Sequence, residues 1–171
     1  MDLIKLLTTW GFTRQSWQGR RGEYWVLAQA FLMLGYLALP SYSPWSPDRL
    51  WLIYGSWAIA VLIGASACWL LGKGLLDLGQ SLTPLPYPRE DGTLIQTGVY
   101  GIVRHCLYSG VILLAIAGTL YWFSLSHLIA TIILFIFFDA KASKEEKWLC
   151  DRYPEYPVYQ QTVKKLLPFI Y

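Results

Sequence analysis

Two short stretches hold most of the residues able to do chemistry. The first is Tyr100, Arg104, His105, Cys106, Leu107 and Tyr108; the second is Lys141, Glu145 and Glu146. Together they offer a guanidinium, an imidazole, an ammonium, two carboxylates and two phenols. Carboxylates and imidazoles move protons when held beside a reacting group. Lys141 and Glu145 are four apart, so on a helix they share one face. Each group alone has a plainer explanation. Arg104 and His105 would cap a span at the headgroups by snorkelling, and Glu145–Glu146, between Lys144 and Lys147, would be a solvated helix face. The combination points further, because ionisable groups at the border of a span are costly and mark functional sites.

The elements that must position these groups are apolar. The 171 residues are 55% hydrophobic and 15% charged, against about 25% charged in soluble domains. No Asp, Glu, Lys or Arg occurs from Tyr24 to Pro47, from Leu50 to Gly72, or from His105 to Phe138. A spanning helix needs ~20 mostly apolar residues. The first span is expected over Tyr24–Leu39, closed by Pro40, Pro44 and Pro47, and the second over Leu50–Leu71. In the second, Gly64, Ala65, Ser66 and Ala67 supply small residues for close helix packing. The run from His105 to Phe138 would be ~50 Å long as one helix, against ~30 Å of hydrocarbon. It splits at Trp122–Ser126 into an antiparallel hairpin, which brings the two polar stretches to one membrane edge. Trp and Tyr residues near the run ends, such as Trp25, Trp51, Trp69, Tyr121 and Trp122, form an interfacial belt.

Between the second span and the hairpin, Gly72–Arg104 changes character. Pro84, Pro86 and Pro88 favour an extended path, and a long irregular loop in a small protein is commonly functional. Met1–Phe12 is either a short interfacial helix or a frayed terminus, with Arg14, Arg20 and Arg21 following as a basic patch; no cleavable signal peptide is read there. With about four spans, thirteen of the fourteen Lys and Arg residues fall on one side, Arg49 alone lying opposite. The positive-inside rule makes that side cytoplasmic, with both termini. The net charge of +3 shows no basic stripe for nucleic acid. Cys68, Cys106 and Cys150 are odd in number and widely spaced, with no C-x-x-C pair, so neither a zinc site nor a disulfide framework is indicated. The expectation is one all-α domain over 1–171, a polytopic integral membrane protein of about four transmembrane helices. Residues 1–72 carry two spans, and 73–171 form a core with a C-terminal helical hairpin and cytoplasmic binding segments.

The stretch Leu94-Ile95-Gln96-Thr97-Gly98-Val99-Tyr100, followed by Val103-Arg104-His105-Cys106-Leu107-Tyr108-Ser109-Gly110, resembles the signature of the isoprenylcysteine carboxyl methyltransferase family and its bacterial relatives. Downstream, Glu145-Glu146-x-x-Leu149, Tyr156-x-x-Tyr159 and Leu167-Pro168-Phe169-Ile170 resemble the family's ending. The resemblance implies a membrane-embedded methyltransferase using S-adenosylmethionine. It also implies that Gly92, Thr93, Leu94 and Ile95 line the cofactor with backbone and apolar contacts. Tyr100, His105, Cys106, Leu107 and Tyr108 would hold its adenosyl and amino-acid parts, and Glu145 would meet its polar groups. Arg104, Lys141, Glu145 and Glu146 become the expected catalytic set, with Lys141 where eukaryotic members place a substrate-contacting arginine. Cys106 departs from the family's proline, and Lys141 from its arginine, losing bidentate carboxylate recognition. The implied acceptor is a lipophilic small molecule or lipid-linked group carrying a carboxylate, an amine or a hydroxyl. Two other readings stay open: a nicotinamide-dependent reductase of the steroid-reductase type, and a non-catalytic membrane protein retaining a decayed site.

Overall fold

The computed structural model describes residues 22–44, 50–83, 85–88 and 92–171. The expected interfacial helix at 1–12, the basic patch Arg14, Arg20 and Arg21, and Arg49 lie outside these residues. The architecture is all-helical: α1 (Glu23–Ala38), α2 (Leu50–Leu78), α3 (Cys106–Trp122), α4 (Leu125–Arg152) and α5 (Tyr156–Thr162). Single 3-10 turns occupy Gly79–Ser81 and Gly98–Gly101. Among the described residues the one extended pairing is a parallel bridge between Val103 and Lys164. Helices α2 and α4 are long and apolar enough to cross a membrane, and α3 is a shorter apolar helix.

Two elements run longer than the apolar runs suggest. Helix α2 continues past Leu71 to Leu78, carried by the i,i+4 ion pair of Lys73 Nζ with Asp77 Oδ1 at 2.9 Å. Helix α4 continues past Asp139 to Arg152, because its polar second half has partners of its own. The hairpin breaks inside the expected segment: Phe123 adopts a left-handed conformation, and the Ser124 side chain caps α4 by accepting from the His127 N–H.

Helix α2 packs along α3, and α1 leans on α4. The α2 face that meets α3 is Ala60, Ala67, Leu70 and Gly74. Ala65 and Ser66 are exposed, since consecutive helical residues point in different directions. A Cβ on Gly110 would sit 2.5 Å from Leu71 Cγ, and one on Gly74 would sit 2.5 Å from Cys106 Sγ. Both glycines are therefore needed for the close approach. The Cys106 thiol fills the space facing Gly74 and packs with Leu70, Val99, Tyr100 and Val103. The departure from proline at this position thus supports a packed core.

The extra turns of α2 also shape the segment before α3. Asp77 Oδ2 accepts from the Val99 N–H at 3.0 Å and fixes the 98–101 turn. Gly98 enters that turn at φ +63°, and a Cβ there would run into the Asp77 carboxylate. Gly98→Ala is expected to cost ~1–3 kcal/mol through this strain. Thermal unfolding in detergent checks it, and an unchanged midpoint would refute the account.

Candidate functional site

The hairpin brings the two polar stretches together. Arg104 Nε pairs with Glu146 Oε1 at 2.8 Å, and His105 Nε2 lies 3.2 Å from the same oxygen. The Tyr156 hydroxyl donates to it at 3.4 Å. One carboxylate oxygen of α4 thus collects three partners from two other segments. On the other side of the imidazole, His105 Nδ1 lies 3.7 Å from Glu145 Oε2, which accepts the Tyr108 hydroxyl at 2.7 Å. The imidazole is held between two carboxylates and lies parallel to the Tyr108 ring, with centroids 5.4 Å apart. Tyr108 in turn stacks on Phe138 of α4.

The C-terminal segment completes the frame. The backbone N–H groups of Arg104 and His105 donate to the carbonyls of Lys164 (2.8 Å) and Lys165 (3.1 Å). Arg104 Nη1 donates to Gln160 O at 2.9 Å and to Val163 O. Ser109 Oγ lies 2.5 Å from Leu166 O. The Lys165 ammonium anchors the segment to α4 through Asp139 Oδ1 (2.5 Å) and Ser143 Oγ (2.7 Å). Arg104 and His105 are thereby fixed through both backbone and side chain.

Two cavities meet at this frame. One, of about 100 Å³, lies under the extended stretch that starts at Gly92. Gly92, Thr93, Leu94 and Ile95 line it, with Tyr100, Tyr153, Tyr156 and Tyr159 opposite. That stretch is strapped at two points: Thr93 N donates to Ser81 Oγ at 3.2 Å, and the Tyr153 hydroxyl donates to Gly92 O at 2.8 Å. Burial pushes the phenols of Tyr100, Tyr156 and Tyr159 well above their usual range, so they stay neutral. The other cavity, of about 340 Å³, is mostly apolar and lies among α1, α2, α3 and α4. Cys106, Leu107, Tyr108 and Lys141 line this second cavity and not the first. Leu78, Thr83, Tyr100, Arg104, His105 and Glu145 border both. Glu146 borders neither; it is buried behind Arg104 and His105.

The first cavity is small beside the ~300–1,000 Å³ of ordinary ligand pockets, but its lining is of the kind a cationic nucleoside would meet. It offers backbone edges of an extended strip, aromatic faces that attract a cation, and the Glu145 carboxylate. The second suits a hydrocarbon chain. The residues quoted from the motifs thus fall on two sides of one wall. Sequence reasoning missed Gln29, Asp77, Tyr153 and the carbonyls of Gln160–Leu166. Gln29 did carry a signal, as the one amide or charged side chain within Tyr24–Leu39. The carbonyl contributions had none, since any residue supplies a carbonyl.

A family model described as the isoprenylcysteine carboxyl methyltransferase (ICMT) family matches residues 60–151, more than half of the chain. No curated protein matches it.

Proposed function

The chain belongs to the isoprenylcysteine carboxyl methyltransferase family, and on that premise we propose that it transfers a methyl group from S-adenosylmethionine to a lipophilic acceptor. Membership and the apolar helices make it an integral membrane methyltransferase. In our reading α1 to α4 are four spans, with both ends of the chain and the site at the cytoplasmic face. The observation that carries the proposal is the shared wall. A small, tyrosine-lined cavity and a larger, mostly apolar one share Tyr100, Arg104, His105 and Glu145 in their linings, so a donor and an acceptor can meet there from opposite sides.

S-adenosylmethionine, when bound, supplies an electrophilic methyl group on a sulfonium. The chain's part is positioning and shelter. Gly92–Ile95 hold the adenosyl part through backbone and apolar contacts. The tyrosine faces and Glu145 favour the positive charge. Arg104 Nη2 makes none of the bonds that engage Nε and Nη1, and it is the group to take the amino-acid carboxylate. Leu78, Leu149 and Ile95 keep water out. Orientation of this kind can supply ~7–11 kcal/mol of a barrier. A carboxylate acceptor needs no base. An amine or hydroxyl acceptor would lose its proton to the Glu145 oxygen that does not receive the Tyr108 hydroxyl. Glu146 serves as a positioning residue, acting through Arg104 and His105.

Calorimetric titration of the detergent-purified chain with S-adenosylhomocysteine tests the cofactor assignment. Micromolar binding that weakens at least about tenfold on Glu145→Ala, a loss of ~1.4 kcal/mol, is expected. A folded preparation that shows no heat of binding would end this proposal.

A further inference from the structure

Lys141 is 1% exposed, yet its ammonium makes no ion pair among the described residues. It donates to Gln29 Oε1 at 2.5 Å and sits 4.9 Å over the Tyr108 ring. A buried ammonium with no carboxylate in contact is costly; one amide oxygen, one ring face and the through-space attraction of Glu145 offset only part of that cost. Both Lys141 and Gln29 line the second cavity. Among the described residues the Gln29 amide nitrogen donates only to Met33 Sδ, at 3.8 Å, and a thioether is a weak acceptor.

We propose that Gln29 is a specificity-determining residue, which with Lys141 forms a two-donor seat for an oxyanion head on a hydrocarbon chain. The proposal deepens the methyltransferase reading and rests on it for the acceptor's role. The ammonium supplies charge but no planar fork. The neighbouring amide N–H supplies a second, directional donor, so the pair offers the two-point geometry suited to a carboxylate or phosphate. Val26, Leu71, Leu75, Leu107 and Val111 give the rest of the cavity an apolar lining for the chain. Glu145, one helical turn from Lys141 and on the same cavity, repels an anion. The head is therefore drawn to the Lys141 end, and this sets which way an amphiphile lies. Helix α1 precedes the segment matched by the family model, so this determinant belongs to the chain's own N-terminal region.

The test uses the full chain in neutral detergent, saturated with S-adenosylhomocysteine and titrated with palmitate, hexadecyl phosphate or hexadecanol. Palmitate or the alkyl phosphate is expected to bind at least about tenfold more tightly than the alcohol, as a charge-assisted bidentate contact would give. The tighter of the two heads identifies the source. Gln29→Glu keeps the side-chain shape and lets the new carboxylate neutralise Lys141, so the preference should vanish while S-adenosylhomocysteine still binds. Gln29→Ala should weaken palmitate several-fold, and Lys141→Arg added to it should restore the binding, since a guanidinium carries both donors. Equal binding of palmitate and hexadecanol by the native chain, or a preference that survives Gln29→Glu, would overturn the seat. Absence of S-adenosylhomocysteine binding would instead remove the methyltransferase reading, because the palmitate–hexadecanol comparison can be repeated without that ligand.

Discussion

Glu146→Ala is expected to destabilise the protein by ~3–5 kcal/mol and to abolish measurable S-adenosylhomocysteine binding. The first part follows from what the carboxylate holds. Its Oε1 receives Arg104 Nε, lies beside His105 Nε2, and accepts the Tyr156 hydroxyl. The Arg104 and Glu146 side chains are 9% and 11% exposed. Removing one partner of such a pair strands a buried charge, and breaking a buried pair costs in that range. The second part follows from position. Arg104 and His105 form the wall between the two cavities, and Glu146 is what holds their side chains from behind. Glu146→Gln keeps the oxygen and the shape while removing the charge, so it should fall between the native chain and the alanine variant in both measurements. Thermal unfolding and ligand titration on the three proteins decide the matter. A native-like midpoint in Glu146→Ala would show that the guanidinium and phenol find other partners, and the wall would then owe nothing to this carboxylate.

Much of this arrangement was legible in the sequence, for physical reasons. Long uncharged runs signal membrane helices, because each charge placed in hydrocarbon is costly. The break at Trp122–Ser126 followed from length alone, and Phe123–Ser124 makes it. The convergence of Arg104–His105 with Glu145–Glu146 followed from an antiparallel hairpin with polar groups at its far ends. What stayed hidden depends on tertiary partners. The continuation of α2 to Leu78 needs Asp77 to be worth holding in a helix, and its second use, on the Val99 N–H, cannot be seen in a one-dimensional pattern. Cys106, Leu107 and Tyr108 adjoin His105 in the chain, yet they line only the apolar cavity while His105 borders both. At the start of α3 a helical turn replaces the extended path, and adjacent side chains diverge around the axis. Gln29 and Lys141 are separated by most of the chain, and spacing carries no information about such a pair.

Deletion of Val163–Tyr171 is expected to be more damaging than any single substitution outside the cavities. The segment contributes few side chains to the site, but its carbonyls satisfy the backbone N–H groups of Arg104 and His105, one Arg104 nitrogen, and the Ser109 hydroxyl. The two backbone N–H groups would be left without these acceptors at ~1–3 kcal/mol each, while Arg104 Nη1 keeps Gln160 O and Ser109 Oγ keeps His105 O. Leu166, fully buried with Tyr36, Ile112, Leu134 and Phe138, would leave a gap in the core as well. These losses together are comparable with the whole stability of a small domain, ~5–15 kcal/mol. The shortened chain should therefore fail to bind S-adenosylhomocysteine and should unfold far below the native midpoint. Lys165→Met separates anchoring from core packing. It releases the clamp on Asp139 and Ser143 while leaving Leu166 and the carbonyls present, so it should keep most of the stability and weaken the cofactor analogue several-fold. If Lys165→Met bound the analogue with native affinity, the clamp would be incidental. If the deleted chain did so, the C-terminal segment would have no part in forming the wall, and Arg104 and His105 would owe their placement to α3 and α4 alone.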